Sequence, residues 1–235
     1  MIKFFRKIRQ SLLAKNKFSN YLIYAFGEIV LVIIGILLAL QINSWNEQKK
    51  IEAELWSSLH DMTEELEENI QFLNKSKQSF ETRFLRVKKL KENKASDTEI
   101  SQLLSYIGQD FDTKPFNKVF EFIKNEKSLK LIQDKELVKS INQFYEYSLT
   151  GLDRTSQWHQ GFVRNNIDPY ILENIPSERG VVAPKNAKIL MKQLKFQNIL
   201  NYQSLFYEAY VNACSKVISE AKELKKDITA YLKQE

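Results

Sequence analysis

The sequence predicts an all-α protein, an N-terminal transmembrane helix continuing into an elongated bundle of three long helices plus short ones. Three observations carry this. Residues 21–40 form a nearly unbroken apolar run, YLIYAFGEIVLVIIGILLAL. The whole chain holds only six Gly and four Pro, with none between Ile36 and Ile107, Phe116 and Thr150, or Lys185 and the end. Apolar residues recur at steps of three and four through most of the remainder, the repeat of one helix face. No strand-like alternation is visible.

Residues 1–18 read as a basic amphipathic arm. Ile2, Phe4, Phe5, Ile8, Leu12 and Leu13 are interleaved with Lys3, Arg6, Lys7 and Arg9, a pattern that lies in the headgroup plane. The formal net charge of +6 sits wholly in the first twenty residues, because the rest carries as many acids as bases. A pI near 9.1 therefore does not indicate nucleic acid. The localised charge suits anionic lipid headgroups and holds that flank in the cytoplasm.

Residues 19–45 are the expected signal-anchor helix. Twenty residues at about 1.5 Å each cover about 30 Å, the hydrocarbon thickness of a bilayer. Thirteen of them are Leu, Ile, Val or Phe, contributing roughly −4 to −8 kcal/mol against about +3 for Glu28. A cleaved signal peptide would have a shorter apolar region ending in small residues; here the run leads into Gln41-Ile42-Asn43-Ser44-Trp45. Tyr21, Tyr24 and Trp45 are placed to mark the two interfaces. The expected location is the inner membrane, single-pass, with residues 46–235 in the periplasm of a double-membrane bacterium. One cysteine, Cys214, leaves that part to be held by packing, without an internal disulfide.

Ile51, Leu55, Leu59, Met62, Leu66, Ile70, Leu73, Phe80, Phe84 and Val87 predict one helix to about residue 93, continuous with the span. Ser96 and Glu99 form a capping-box pattern for a short helix closing near Gly108. Asp112–Pro115 starts another, with Phe116, Val119, Phe120 and Ile123 inward. After a connector at Ser128–Ile132, Asp134 caps a long helix through Leu137, Ile141, Phe144, Tyr145, Leu152 and Phe162, with Gly151 and Gly161 as bending points. Asn174–Pro184 reads as a loop and Asn186–Leu194 as a short helix. Tyr207, Tyr210, Cys214, Val217, Ala221, Leu224, Ile228 and Tyr231 then step three-four along a final helix.

The sharpest candidate site is in the span. Glu28, Val32, Gly35 and Ala39 share one face, and Gly35-x-x-x-Ala39 is a small-x-x-x-small pair that permits close helix approach. A carboxyl at membrane depth faces a protein interior or water, pairs, or is protonated. Three readings follow: a helix-helix interface, a protonated acid bonded locally or to headgroups, and a proton- or ion-conducting group. Gln41, Asn43, Trp45 and Asn46 form the membrane-boundary motif.

Elsewhere chemistry is thin. His60 and Glu64 lie one turn apart but belong to an acidic run, Asp61, Glu64, Glu65, Glu67 and Glu68, that reads as a solvated face. His159 reads as a satisfied core histidine, and the aromatics from Phe144 to Tyr210 as core before cavity lining. Arg164-Asn165-Asn166 is either a polar recognition edge or an ordinary helix end. No GxSxG, HExxH, CxxC, Walker or GxGxxG pattern occurs, so no catalytic residue, metal or cofactor is assigned.

FFRKIRQ and NKFSNYLIYAFGEIVLVIIGILLALQINSWNE resemble a family of uncharacterised single-pass bacterial membrane proteins, common in Bacteroidota. Its span follows G-E-I-x-L-x-x-x-G-I-x-x-A-L-Q-I-N-x-W-N-E, and Gly27, Glu28, Gly35, Ala39, Leu40, Gln41, Asn43, Trp45, Asn46 and Glu47 fall on that motif. SLKLIQDKELVKSINQFYEY and LKFQNIL resemble later segments of the family. The stretch Phe120–Lys127 departs from it where a Ser-Gly is expected. The resemblance implies membrane anchoring and a helical outer domain and supplies no activity. The expected function is a non-enzymatic membrane-anchored scaffold, adaptor or sensor, forming a homo-oligomer or pairing with a membrane protein through its span. The alternative is a subunit of an ion- or proton-coupled complex using Glu28.

Overall fold

The computed structural model describes residues 18–108, 116–126, 128–178, 181–182 and 189–234. The basic arm with Lys3, Arg6, Lys7 and Arg9, the helix start at Asp112–Pro115, and Asn186–Lys188 lie outside the described residues.

Helix α1, Phe18–Lys91, runs 74 residues, as its lack of breakers beyond Ile36 leads one to expect. Lys88, Lys89 and Lys91 occupy its last turn, at the negative end of the helix dipole. Asn93 follows with φ 57, and the Lys94 N–H donates to the Lys89 carbonyl at 2.9 Å. A left-handed residue just past the end satisfies carbonyls the helix leaves open.

The chain divides into two compact units, Met1–Glu54 and Leu55–Glu235. In the first, Phe26 and Leu31 are 69% and 70% exposed, and Leu22 and the other large apolar side chains from Ile29 to Trp45 also face outward. The 18-residue apolar window there has mean hydropathy 2.5 and is not buried at all. Among the described residues this is one helix long and apolar enough to cross a membrane.

The second unit is built on the other end of α1. Leu55, Leu59, Met62, Leu66, Leu73, Phe80, Val87 and Leu90 form its buried stripe. Helix α2 is Asp97–Tyr106, α3 is Lys118–Asn125, and a 3₁₀ turn covers Ser128–Leu131. Then come α4 (Lys135–Asn142), a π-helical segment at Gln143–Leu149, α5 (Thr150–Phe162), a second π segment at Val163–Ile167, and α6 (Asp168–Asn174). Helix α7, Leu194–Leu232, closes the unit. Trp56 stacks on Tyr231 at 5.3 Å, Lys225 bonds Glu67 at 2.7 Å, and Phe80 meets Tyr207 at 5.6 Å. Ascending α1 therefore descends α7, and the two are antiparallel. The α4–α6 run is antiparallel to α7 as well, since His159 meets Phe206 and Tyr170 meets Phe196. The fold is all-α as predicted, with three long helical runs around one core.

Three expectations are corrected. Phe116 is 41% exposed rather than inward: its backbone docks (below) and its ring meets the edge of Phe72, at 6.2 Å. Ser177–Glu178 (β1) and Val181–Val182 (β2) pair antiparallel in a loop where no strand pattern is visible; two residues per strand are too few to show alternation. The third long helix is interrupted by two π segments. Its buried residues include the four-residue steps 137, 141, 145, 149, with Phe144 buried beside Tyr145, and again 159, 163, 167. A four-residue step overshoots an α-turn by about 40°, so repeated fours would rotate the stripe away from the core. A π turn absorbs the extra residue. Thr150 Oγ1 donates to the Tyr145 carbonyl at 3.1 Å, across the first of these segments.

Candidate functional site

Glu28, Gly35 and Ala39 lie on the apolar part of α1. Glu28 is half-buried and lies with Ala25, Ile29, Val32 and Ile33 around a notch of about 280 Å³. A Cβ on Gly35 would meet nothing within 4 Å, and Ala39 is exposed, so that face is smooth and open. At the boundary, Gln41, Asn43, Trp45 and Asn46 are all exposed. The Lys49 ammonium lies 4.1 Å over the Trp45 ring, a cation–π contact.

Inside the second unit, two polar clamps hold the helices together, and sequence reasoning missed the first. Glu65 is 6% exposed and Asn69 fully buried, which corrects the reading of that acidic run as a wholly solvated face. The Glu65 carboxylate accepts from the Val119 N–H at 2.9 Å and from the Tyr145 hydroxyl at 3.0 Å. Val119 lies in the first turn of α3, where N–H groups lack helical partners and the dipole favours an anion. Asn69, one turn on, donates to the Phe116 carbonyl and accepts from the Phe116 N–H, both at 2.8 Å. One turn of α1 thus captures the entry to α3 and the first π segment. Burial, and next the Glu65 charge, push the Tyr145 hydroxyl well above its usual range, so it remains a proton donor. A signal existed: Met62, Leu66, Asn69 and Leu73 step four-three-four, which sets the amide on the core stripe.

The second clamp is His159, 2% exposed. Its Nε2 lies 2.7 Å from Gln203 Oε1, and Gln203 Nε2 donates to the Ile107 carbonyl at 3.0 Å. With that amide oriented so, Nε2 is assigned as the protonated nitrogen. The ring stacks on Phe206 at 3.7 Å. Three elements, α2, α5 and α7, meet at this relay, and the histidine is a satisfied core residue as predicted. The aromatics pack on one another rather than around a space: Phe80 touches Phe206, Tyr207 and Tyr210. Burial raises the Tyr207 hydroxyl, against the Arg83 guanidinium hydrogen-bonded to it.

His60 is exposed, and among the described residues no group of three His, Cys, Asp or Glu is placed to hold a metal ion. Arg164, Asn165 and Asn166 are exposed in the second π segment, where Asn166 donates back to the Phe162 carbonyl at 3.3 Å. The clamps position helices; they leave no open group for chemistry. Open features among the described residues include the apolar face around Glu28, the outer surface of α5, and a cavity of about 680 Å³ between Leu90–Ile100 and Met191–Asn201.

Compared with known proteins, residues 28–147 match a family of unknown function, DUF6090. No curated protein and no solved structure matches the chain.

Proposed function

Given that the chain belongs to the DUF6090 family, whose function is unknown, we propose that it is a non-enzymatic membrane-anchored adaptor or sensor. Its helical unit, from Leu55 on, lies outside the inner membrane, and copies associate through the span. The observation that carries this is the wholly exposed apolar helix of α1, whose continuation supplies the core stripe of that unit. Exposed Leu, Ile and Val in such a row are stable in lipid and costly in water. The basic arm supports a cytoplasmic amino end. The Gly35/Ala39 face supports association, and Glu28 on that face would face a partner helix rather than lipid.

A second reading, favoured by Glu28 alone, is a subunit of a proton-coupled complex. Glu28→Gln separates them. In the adaptor reading it lowers crosslinked oligomer yield in native membranes and no proton-dependent phenotype exists. Unchanged oligomers with loss of such a phenotype would establish the second. Orientation is tested by a reporter fused after Glu235: activity on the cytoplasmic side would overturn the assignment outright.

A further inference from the structure

Helix α5 contains a glycine that packing does not explain. A Cβ on Gly151 would meet nothing within 4 Å, yet glycine inside a helix destabilises it relative to alanine. Gly151 floors an open groove of about 400 Å³ with Arg154, Thr155 and Trp158. Trp158 is 55% exposed. Its inner side is backed by Tyr202 at 4.9 Å, and Tyr202 is itself stacked on Phe162 at 3.7 Å. The indole is therefore supported from behind with its outer face free. Asp153 is engaged by Gln157 at 2.8 Å, and among the described residues Arg154 makes no ion pair. Thr155 Oγ1 donates to the Gly151 carbonyl at 3.0 Å, which leaves its lone pairs available to accept. The helix bearing this shelf is bracketed by π segments, which recur at functional sites.

The chemistry of the shelf selects its ligand. A guanidinium pairs with a carboxylate in bidentate fashion. An indole face that stays open to water suits a sugar ring, whose C–H face stacks while its hydroxyl rim remains hydrated; an apolar side chain would call for an enclosed pocket. Glycine lets a ring approach the backbone. We propose that the Gly151–Trp158 shelf of α5 binds a carboxylate-bearing sugar of an acidic glycan. This names the ligand class of the adaptor or sensor, and it rests on that reading for the presence of glycan on the same side of the membrane.

The test is calorimetric titration of the full chain in lipid nanodiscs with hexagalacturonate, with chitohexaose and hexaglutamate as neutral-sugar and charged-peptide comparisons. Hexagalacturonate is expected to bind at least tenfold more tightly than either. Arg154→Gln should reduce its affinity to that for chitohexaose, and Trp158→Leu should abolish binding, with Trp158→Phe retaining part. Gly151→Ala should raise the Tm yet weaken binding at least fivefold, a combination a merely structural glycine would not produce. Absence of hexagalacturonate binding, equal affinity for hexaglutamate, or full affinity in Gly151→Ala would each overturn the proposal. Because binding is read on purified protein, such a result leaves the membrane-anchor reading standing; a cytoplasmic carboxyl end would do the reverse.

Discussion

Glu65 accepts from two donors, the Val119 N–H and the Tyr145 hydroxyl. Stranding buried donors is costlier than losing a balanced pair. Glu65→Ala is therefore expected to lower stability by roughly 2–4 kcal/mol, read as a lower urea midpoint at unchanged slope. Tyr145→Phe should cost about 1–2 kcal/mol, and the double mutant should be non-additive by at least about 0.5 kcal/mol. Additive losses would show that the two do not act as a unit. Gly108 is a different case from Gly151. A Cβ there would stand 2.8 Å from Asp168 Oδ1 and 2.9 Å from Ile171 Cδ1, so both side chains must turn aside. Gly108→Ala should cost about 1–2 kcal/mol by overpacking; a thermal shift of zero would mean that they swing away freely. Asn69 was legible from its place on the stripe, whereas the residues it bonds, 47 positions away, were not.

At the scale of elements, α2 shows local coding that survives intact. Ser96 accepts from the Glu99 N–H while the Glu99 side chain reaches the Ser96 N–H, the predicted reciprocal cap. Lys89, bonded at 2.6 Å, and then Ser96 hold the Glu99 carboxyl down to about 2 from 4.5. Its folded value lies below its unfolded one, so its contribution is present above pH 4.5 and is lost as pH falls towards about 2. An NMR titration should place the Glu99 midpoint in that low range, and Lys89→Met should move it up. The π segments make a sharper element-scale prediction. Deleting the exposed Tyr147 shortens one four-residue step to three and lets the first π segment become α-helix with its buried stripe retained. Deleting Gln157 inside α5 breaks a regular stripe. The first deletion should cost roughly 1 kcal/mol and the second several times that; equal losses by chemical denaturation would mean that the π register is required for folding. The four-residue steps were present in the sequence. Nothing in them announced a π turn until the opposing face of α7 was in place.

For the molecule as a whole, the strongest expectation concerns where it partitions. The exposed apolar helix should keep the full chain in the membrane fraction after alkaline carbonate extraction, and recovery in the soluble fraction would contradict the anchor. Within the second unit, burial pushes the Cys214 thiol up to about 11, so labelling by a thiol reagent near pH 8 should await unfolding. Labelling as fast as a free thiol would show that α7 opens locally. Length, charge placement, breaker scarcity and three-four spacing determined the long apolar helix, the helix class, the caps of α2 and α4, and most of the core stripe, because each is a property of neighbours along the chain. Only the tertiary structure decided that Glu65 is buried and that Phe116 docks by its backbone. The same holds for the π register of the third run and for the glycine that is packed against, Gly108 and not Gly151. These depend on what faces a residue across the core, and a one-dimensional period records which side of a helix is inward without recording what waits there.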